Sequence, residues 1–233
     1  LNVLVIDIGG SHVKMLASGQ SEPRQFDSGE DLTPDAFVTE VERLTADWSY
    51  DALSIGYPGE TGPDCPTAAA PKLGGGWVGY DFSAAFGRPV RMVNDAALQA
   101  LGGYEGGRML FLGLGTGLGS TLIVEHVIVP LELGCLPYQT GETFADRLGK
   151  EGLERHGHDA WMKALKKITS TLRHALMTDY IVLGGGNSTR VDPLPEGTRR
   201  GGNDDAFTGG FRLWEEWVEP HDHPSAETWR VVR

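Results

Sequence analysis

The 233-residue chain is 40% hydrophobic and 22% charged, the make-up of a globular protein with enough length for one large domain or two modest lobes. A net charge of −12 and a pI near 5.0 argue against nucleic-acid or anionic-membrane partners, and no apolar run is long enough to span a bilayer. Two cysteines, Cys65 and Cys135, are too few for a zinc cluster and point to no oxidising compartment, so a cytoplasmic location is expected.

The chain begins at Leu1 rather than Met, which reads as a trimmed or tag-derived start, and no signal peptide is expected because no basic leader precedes the first apolar run. Val3 to Ile8 reads as a strand, Gly9-Gly10-Ser11 as a turn and His12 to Leu16 as a second strand. Thr33 caps a helix that has Pro34 at its first position and Phe37, Val38, Val41 and Leu44 on its buried face. Ala52 to Gly56 forms a strand ending in the turn Tyr57-Pro58-Gly59-Glu60. Residues 61–80 are a Gly/Pro-rich loop of the length that usually carries function or disorder, and its Trp77 is the tryptophan expected to line a cleft. The other tryptophans are assigned to the core.

Pro89 to Val93 is a strand running into Asn94-Asp95 and then a helix through Ala100, which puts Asp95 at a strand-to-helix junction. The segment MLFLGLGTGLGSTLIV, residues 109–124, repeats the opening design of apolar strand, Gly-rich turn and apolar strand, and suggests two lobes of similar build. Trp161 to Leu176 is an amphipathic helix with Lys163, Lys166, Lys167, Arg173 and His174 as a basic stripe, read first as a solvated face and second as a guide for polyphosphate. Tyr180 to Leu183 is a strand ending in Gly184-Gly185-Gly186-Asn187. Phe207, Phe211, Trp214 and Val218 mark a last helix stopped by Pro220, followed by a loose polar tail in which His221-Asp222-His223 is incidental rather than a metal site.

Neither Gly-rich turn has the G-x-G-x-x-G spacing of a dinucleotide fold, and no Walker A loop occurs. What remains is a hairpin whose backbone N–H groups can surround a phosphate, with glycines allowing close approach and positive φ, and Ser11 or Thr116 adding a hydroxyl. Asp7 is placed to hold Mg²⁺ through water, and Lys14 to face phosphates as a point charge. One such turn alone reads equally as an ordinary hairpin. Two of them, with a strand-end Asn-Asp and a strand-end Gly-Gly-Gly-Asn, favour a site.

Together these segments resemble the ROK (repressor, open reading frame, kinase) sugar kinases, and the short polyphosphate-glucokinase branch most. Residues 7–14 (DIGGSHVK) resemble the first phosphate motif, 114–120 (LGTGLGS) the second and 183–187 (LGGGN) the adenosine-side motif. Val93-Asn94-Asp95-Ala96 resembles the catalytic segment, and Glu132-Leu133-Gly134 the start of a Glu-Leu-Gly-His sugar motif. The resemblance implies an α/β, actin-like ATPase (ribonuclease H-like) fold with two lobes around a cleft. The N-terminal lobe would span residues 1–106, rejoined by a C-terminal helix at 207–233, and the C-terminal lobe residues 107–206.

It further implies phosphoryl transfer from ATP or polyphosphate, with Mg²⁺, to a hexose, most often the 6-hydroxyl of glucose. Asp95 would be the general base, and Asn94, Glu132, Gly59 and Glu60 would hold sugar hydroxyls. Asp7, Gly9, Gly10, Ser11, Lys14, Gly115, Thr116, Gly117, Gly184, Gly185, Gly186 and Asn187 would form the phosphate and nucleotide side. As in the short branch, the family's Cys-rich motif is missing and no zinc is expected. Cys135 stands where the motif has histidine, and Pro71-Lys72-Leu73 where many members carry a sugar-reaching Asn. These departures bear on which sugar is used more than on the reaction. A homodimer is compatible with the resemblance. Three rivals remain: a sugar-sensing repressor, which needs a DNA-binding segment ahead of the first hairpin, a non-catalytic sugar binder, and a kinase for another hexose or a non-sugar acid.

Overall fold

The computed structural model describes residues 1–139, 141–202, 204–217 and 227–232. In chain order the elements are β1 (Val3–Ile8), β2 (His12–Ala17), β3 (Arg24–Asp27), α1 (Pro34–Leu44), β4 (Ala52–Tyr57), α2 (Phe82–Phe86), β5 (Val90–Asn94) and α3 (Asp95–Gly102). The second half follows with β6 (Arg108–Leu114), β7 (Leu118–Val124), β8 (Val127–Leu131), α4 (Phe144–Leu148), α5 (Lys150–His156), α6 (His158–Ala175), β9 (Tyr180–Gly184) and β10 (Thr198–Arg200). The chain closes with α7 (Asp205–Arg212), β11 (Glu216–Trp217), β12 (Glu227–Thr228) and β13 (Arg230–Val231).

The two halves repeat one topology. The first sheet has the order β3-β2-β1-β4-β5 and the second β10-β9-β6-β7-β8-β13. In each, an antiparallel three-strand meander is extended on its first strand's side by two parallel strands, β4 and β5 in one and β9 and β10 in the other, with crossovers through α1, α2 and α4 to α6 and, between β9 and β10, a short 3-10 turn; β13 adds a further parallel strand on β8. The repeat seen in residues 109–124 is therefore a repeat of whole sheets.

The pleat sorts each strand into two faces. Leu4, Ile6 and Ile8 of β1 pack with Phe37, Val38 and Val41 of α1, while Val3 and Val5 join a second cluster with α3 and α7. That alternation places Asp7 on the α3 side. In the second sheet Met109, Phe111 and Val182 face the same central layer, and Leu110, Leu112, Leu114, Ile181 and Leu183 face Trp161, Leu165, Ile168 and Leu172 of α6. Helices α3 and α7 are thus held between the sheets, with α1 and α2 outside one and α4 to α6 outside the other.

Two expectations change. Trp77 does not line the cleft: it is 2% exposed, rings from Phe37, Tyr57 and Phe82 surround it, and its Nε1 donates to the Leu32 carbonyl at 3.0 Å. Its indole completes the aromatic core beneath α1 instead. The last helix stops at Arg212, well short of 233. There Arg212 Nη1 donates to the carbonyls of Leu101, Gly102 and Tyr104 at 2.8, 3.0 and 3.0 Å, and so caps the C-terminal end of α3. Trp214 lies past the helix and donates to Ser54 Oγ at 2.9 Å, while Ser54 donates to the Gly210 carbonyl at 2.6 Å. Of the expected loose tail, Arg230–Val231 pairs parallel with β8; Val218, Pro220 and His221-Asp222-His223 lie outside the described residues.

The α3–α7 crossing is a backbone-to-backbone contact made by glycine. A Cβ at Gly102 would land on the Asp205 main chain, and one at Gly209 on the Leu98 carbonyl. Gly209→Ala is expected to destabilise by about 1–3 kcal/mol, as overpacking does. For a chain of this size that lowers the melting midpoint by roughly 2–4 °C per kcal/mol. Thermal melts followed by circular dichroism check this, and an unchanged midpoint would contradict the close crossing.

Candidate active site

Strand β5 carries Asn94 to the edge of the first sheet, where α3 begins. Asn94 caps the helix through Oδ1, which accepts from the Ala96 N–H at 3.0 Å, and its Nδ2 donates to the Gly59 carbonyl at 3.2 Å. Asp95 Oδ1 accepts from the same Ala96 N–H at 2.8 Å. Asp7 lies alongside: a Cβ on Gly56 would stand 2.8 Å from Leu98 Cδ2, 3.3 Å from Asp7 Oδ1 and 3.4 Å from Asp95 Cα, so glycine there keeps both acids and Leu98 uncrowded. Asp7 Oδ1 is buried and has no hydrogen-bond partner among the described residues.

Burial pushes the Asp7 carboxyl up to about 6, with Lys14 opposing. Burial, then the charge of Asp7, pushes Asp95 up to about 7, and Glu132 adds to the effect. The helix N-terminus alone would keep Asp95 ionised. Desolvation and like charge outweigh it and give the carboxyl a pKa of about 7.

The two turns converge on this point. The Gly9 N–H is used inside the first hairpin, donating to the His12 carbonyl at 3.0 Å, and the Gly115 N–H bonds the Gly113 and Gly117 carbonyls at 3.1 and 3.3 Å. The N–H groups of Gly10, Ser11, Thr116 and Gly117 have no protein partner among the described residues. None of Gly9, Gly10, Gly115 or Gly117 has a positive φ, contrary to the expectation for such turns. Instead, a Cβ at Gly115 or Gly117 would meet nothing within 4 Å, so glycine there leaves open space. The Gly115 and Thr116 carbonyls accept from the Lys150 N–H at 3.0 and 3.2 Å, which fixes the second turn to the start of α5.

On the third motif the structure separates four neighbours. Gly184 is a buried residue of β9 opposite Gly113. Gly185 needs glycine twice over, with φ +76° and the Leu114 backbone 2.8 Å from any Cβ. Gly186 is exposed, and Asn187 Nδ2 donates to the Gly115 carbonyl at 3.5 Å, tying this turn to the second glycine-rich turn. Lys14 sits opposite Asp7 in the β1–β2 register and does not line the cleft. His12 Nδ1 pairs with Asp27 Oδ1 at 3.1 Å on the surface.

A cleft of about 460 Å³ joins these parts, lined by Gly10, Pro58, Gly59, Lys72, Asn94, Asp95, Gly115 to Ser120, Glu132 and Gly185 among others. A second hollow of about 370 Å³ adjoins it, lined by Glu60, Thr61, Thr67, Asn94 and Glu132. Burial and then Glu60 raise the Glu132 carboxyl. Its backbone is set by Ser120, which donates to the Leu131 carbonyl at 2.7 Å and accepts from the Leu133 N–H at 3.0 Å. Ser120 was read from the sequence only as part of a glycine-rich run, although the β alternation that buries it was visible. Cys135 is exposed and does not line the cleft, and the basic residues of α6 lie away from it. No cluster of three metal-ligating side chains exists among the described residues. The single unpartnered carboxylate oxygen of Asp7 fits an ion such as Mg²⁺, which keeps most of its waters and takes its other ligands from phosphate.

No protein-family model and no curated protein matches the chain. Solved structures do. The inorganic polyphosphate/ATP-glucomannokinase from Arthrobacter sp. strain KM aligns with a TM-score of 0.74 at 24% identity, over 89% of this chain and 96% of that one. The ROK hexokinase from Thermus thermophilus gives 0.69 at 16% identity, over 90% and 96%. The ROK family glucokinase from Streptomyces griseus, solved with glucose and AMPPNP, gives 0.64 at 14% identity, over 90% and 97%. At these identities the likeness is one of fold: the chain has the two-lobed, actin-like α/β fold of these sugar kinases.

The raised carboxyls make a stability prediction. An unfolded Asp ionises near pH 3.9, so as pH rises towards 7 the unfolded chain releases protons that the native Asp7–Asp95 pair still holds. The pair therefore costs stability progressively as pH climbs through about 6 and 7. Asp95→Asn should melt higher than the wild type at pH 8, with the gap closing towards pH 4. Melting curves across that range check the sign.

Proposed function

We propose that this chain is a hexose kinase of the ROK type, moving a phosphoryl group from ATP or polyphosphate to a sugar hydroxyl, with the 6-hydroxyl of glucose as the first candidate. One observation carries the reading: Asp95, a carboxyl with its pKa near 7, stands where two turns with unspent N–H groups meet the Asn94–Glu132 wall. Phosphoryl transfer asks a protein mainly for positioning and charge stabilisation, and this cleft supplies both.

Asn94 and Glu132, with Gly59 and Glu60 behind them, orient the acceptor so that one hydroxyl faces Asp95. As the oxygen of that hydroxyl bonds to phosphorus and the donor's bridging P–O bond breaks, the hydroxyl proton passes to the Asp95 carboxylate. General-base help of this kind is worth about 10²–10⁴-fold. The free N–H groups of Gly10, Ser11, Thr116 and Gly117 hold the donor's phosphate oxygens, and the Gly185–Asn187 turn borders the donor's far end. Asp7 would hold Mg²⁺, which offsets the charge of the phosphates and, by offsetting Asp7 as well, favours the ionised form of Asp95.

A coupled kinase assay over a panel of hexoses, with ATP and polyphosphate as alternative donors, tests the reading directly; transfer to no hexose from either donor would sink it. Asp95→Asn should reduce kcat by at least about 10²-fold while calorimetry still detects sugar binding. The wild-type kcat/KM should fall below an apparent pKa near or under 7, because the base must be ionised.

A further inference from the structure

The loop that carries Lys72 is held in place on both sides. The Tyr57 hydroxyl, at the buried end of β4, accepts from the Ala70 N–H at 2.9 Å and donates to the Ala68 carbonyl at 3.1 Å. Beyond Lys72, the Leu73 N–H returns to the Ala70 carbonyl at 3.2 Å and the Gly74 N–H reaches the Leu32 carbonyl at 3.1 Å. So fixed, Lys72 lies across the cleft against the first phosphate turn: a Cβ on Gly10 would stand 3.1 Å from its Cδ. Its ammonium is two bonds further on.

Charge makes this placement informative. The cleft is lined by Asp95 and Glu132 with Asp7 beneath, and Lys72 is the one cationic side chain among its described lining residues. Lys14, the other lysine near the turn, is opposite Asp7 and spends its field there. Lys72 has no hydrogen bond or ion pair among the described residues. Lys72 is exposed, so its ammonium stands at the open side of the acidic cleft, where an anionic phosphate chain would enter.

We propose that Lys72 is a catalytic residue of the phosphate clamp, its ammonium donating to the non-bridging oxygens of the phosphoryl group in transit above Gly10. The lysine keeps its protons throughout. The P–O bond to the donor breaks, the P–O bond to the acceptor forms and the acceptor's proton goes to Asp95, while Lys72 stabilises the charge that passes between them. This deepens the kinase reading and rests on it for the transfer step, but its binding half can be read without any acceptor.

The experiment compares wild type, Lys72→Met and Lys72→Arg in two measurements: calorimetric binding of magnesium tripolyphosphate without sugar, and steady-state transfer with the best hexose. Lys72→Met should bind tripolyphosphate at least about tenfold more weakly, with a smaller dependence on salt, and lose about 10²–10³ in kcat. KM for the hexose should stay within about twofold, and Lys72→Arg should recover part of both losses, since it keeps the charge. Gly10→Ala, which presses on the lysine stem, should cost tripolyphosphate affinity in the wild type and much less in the Lys72→Met background. Unchanged tripolyphosphate affinity in Lys72→Met, or a loss confined to KM for the hexose, overturns the clamp and would reassign Lys72 to the acceptor. A wild type that phosphorylates no hexose yet binds tripolyphosphate through Lys72 would sink the kinase reading and leave the clamp standing.

Discussion

Two carboxyl groups are kept close together in a partly dry place, and the rest of the molecule is arranged around that fact. Asp7 and Asp95 come from different elements, β1 and the first turn of α3, and both border Gly56. Neither has a salt-bridge partner among the described residues, and burial raises both. A pair of this kind is unfavourable until something positive arrives. The partially positive amide groups of the two turns and the lysine of the 68–74 loop surround that pair from different sides, and the unpartnered oxygen of Asp7 is where a cation would fit.

The sheets are what bring these groups to one place. Because β1 and β6 alternate strictly, every second residue of each faces the central layer, and the positions next to the turns are Asp7 in one sheet and Gly113 in the other. One lobe therefore contributes a carboxylate and the other leaves room. The same duplication puts both turns at the same end of their sheets, facing across α3.

Much of this was legible in the sequence wherever the signal was local. The hairpins around Gly9-Gly10 and Gly115 to Gly119, the Thr33-Pro34 helix start and the Asn94-Asp95 junction each declare themselves within a few residues. Helices α2, α4 and α5 did not, since five to seven residues are too few to show an apolar stripe. Strands β3 and β10, read as RQFD and TRR, are edge strands with little apolar content, and only pairing reveals them. Trp77 was misplaced because a glycine-rich neighbourhood says nothing about which way an indole points. Lys72 registered only as an odd substitution, since its position depends on a hydroxyl fifteen residues earlier, at Tyr57. The raised Asp95 carboxyl depends first on burial and then on Asp7, eighty-eight residues away in sequence, and no local pattern carries either.

The contact between α3 and α7 has a mechanical consequence. Where Gly102 and Gly209 let main chain meet main chain, no pliable side chains lie between the helices to be sheared, and Arg212 ties the end of one to the end of the other. The pair is a stiff joint shared by both sheets, and any residue larger than glycine at the crossing would have to force the two main chains apart.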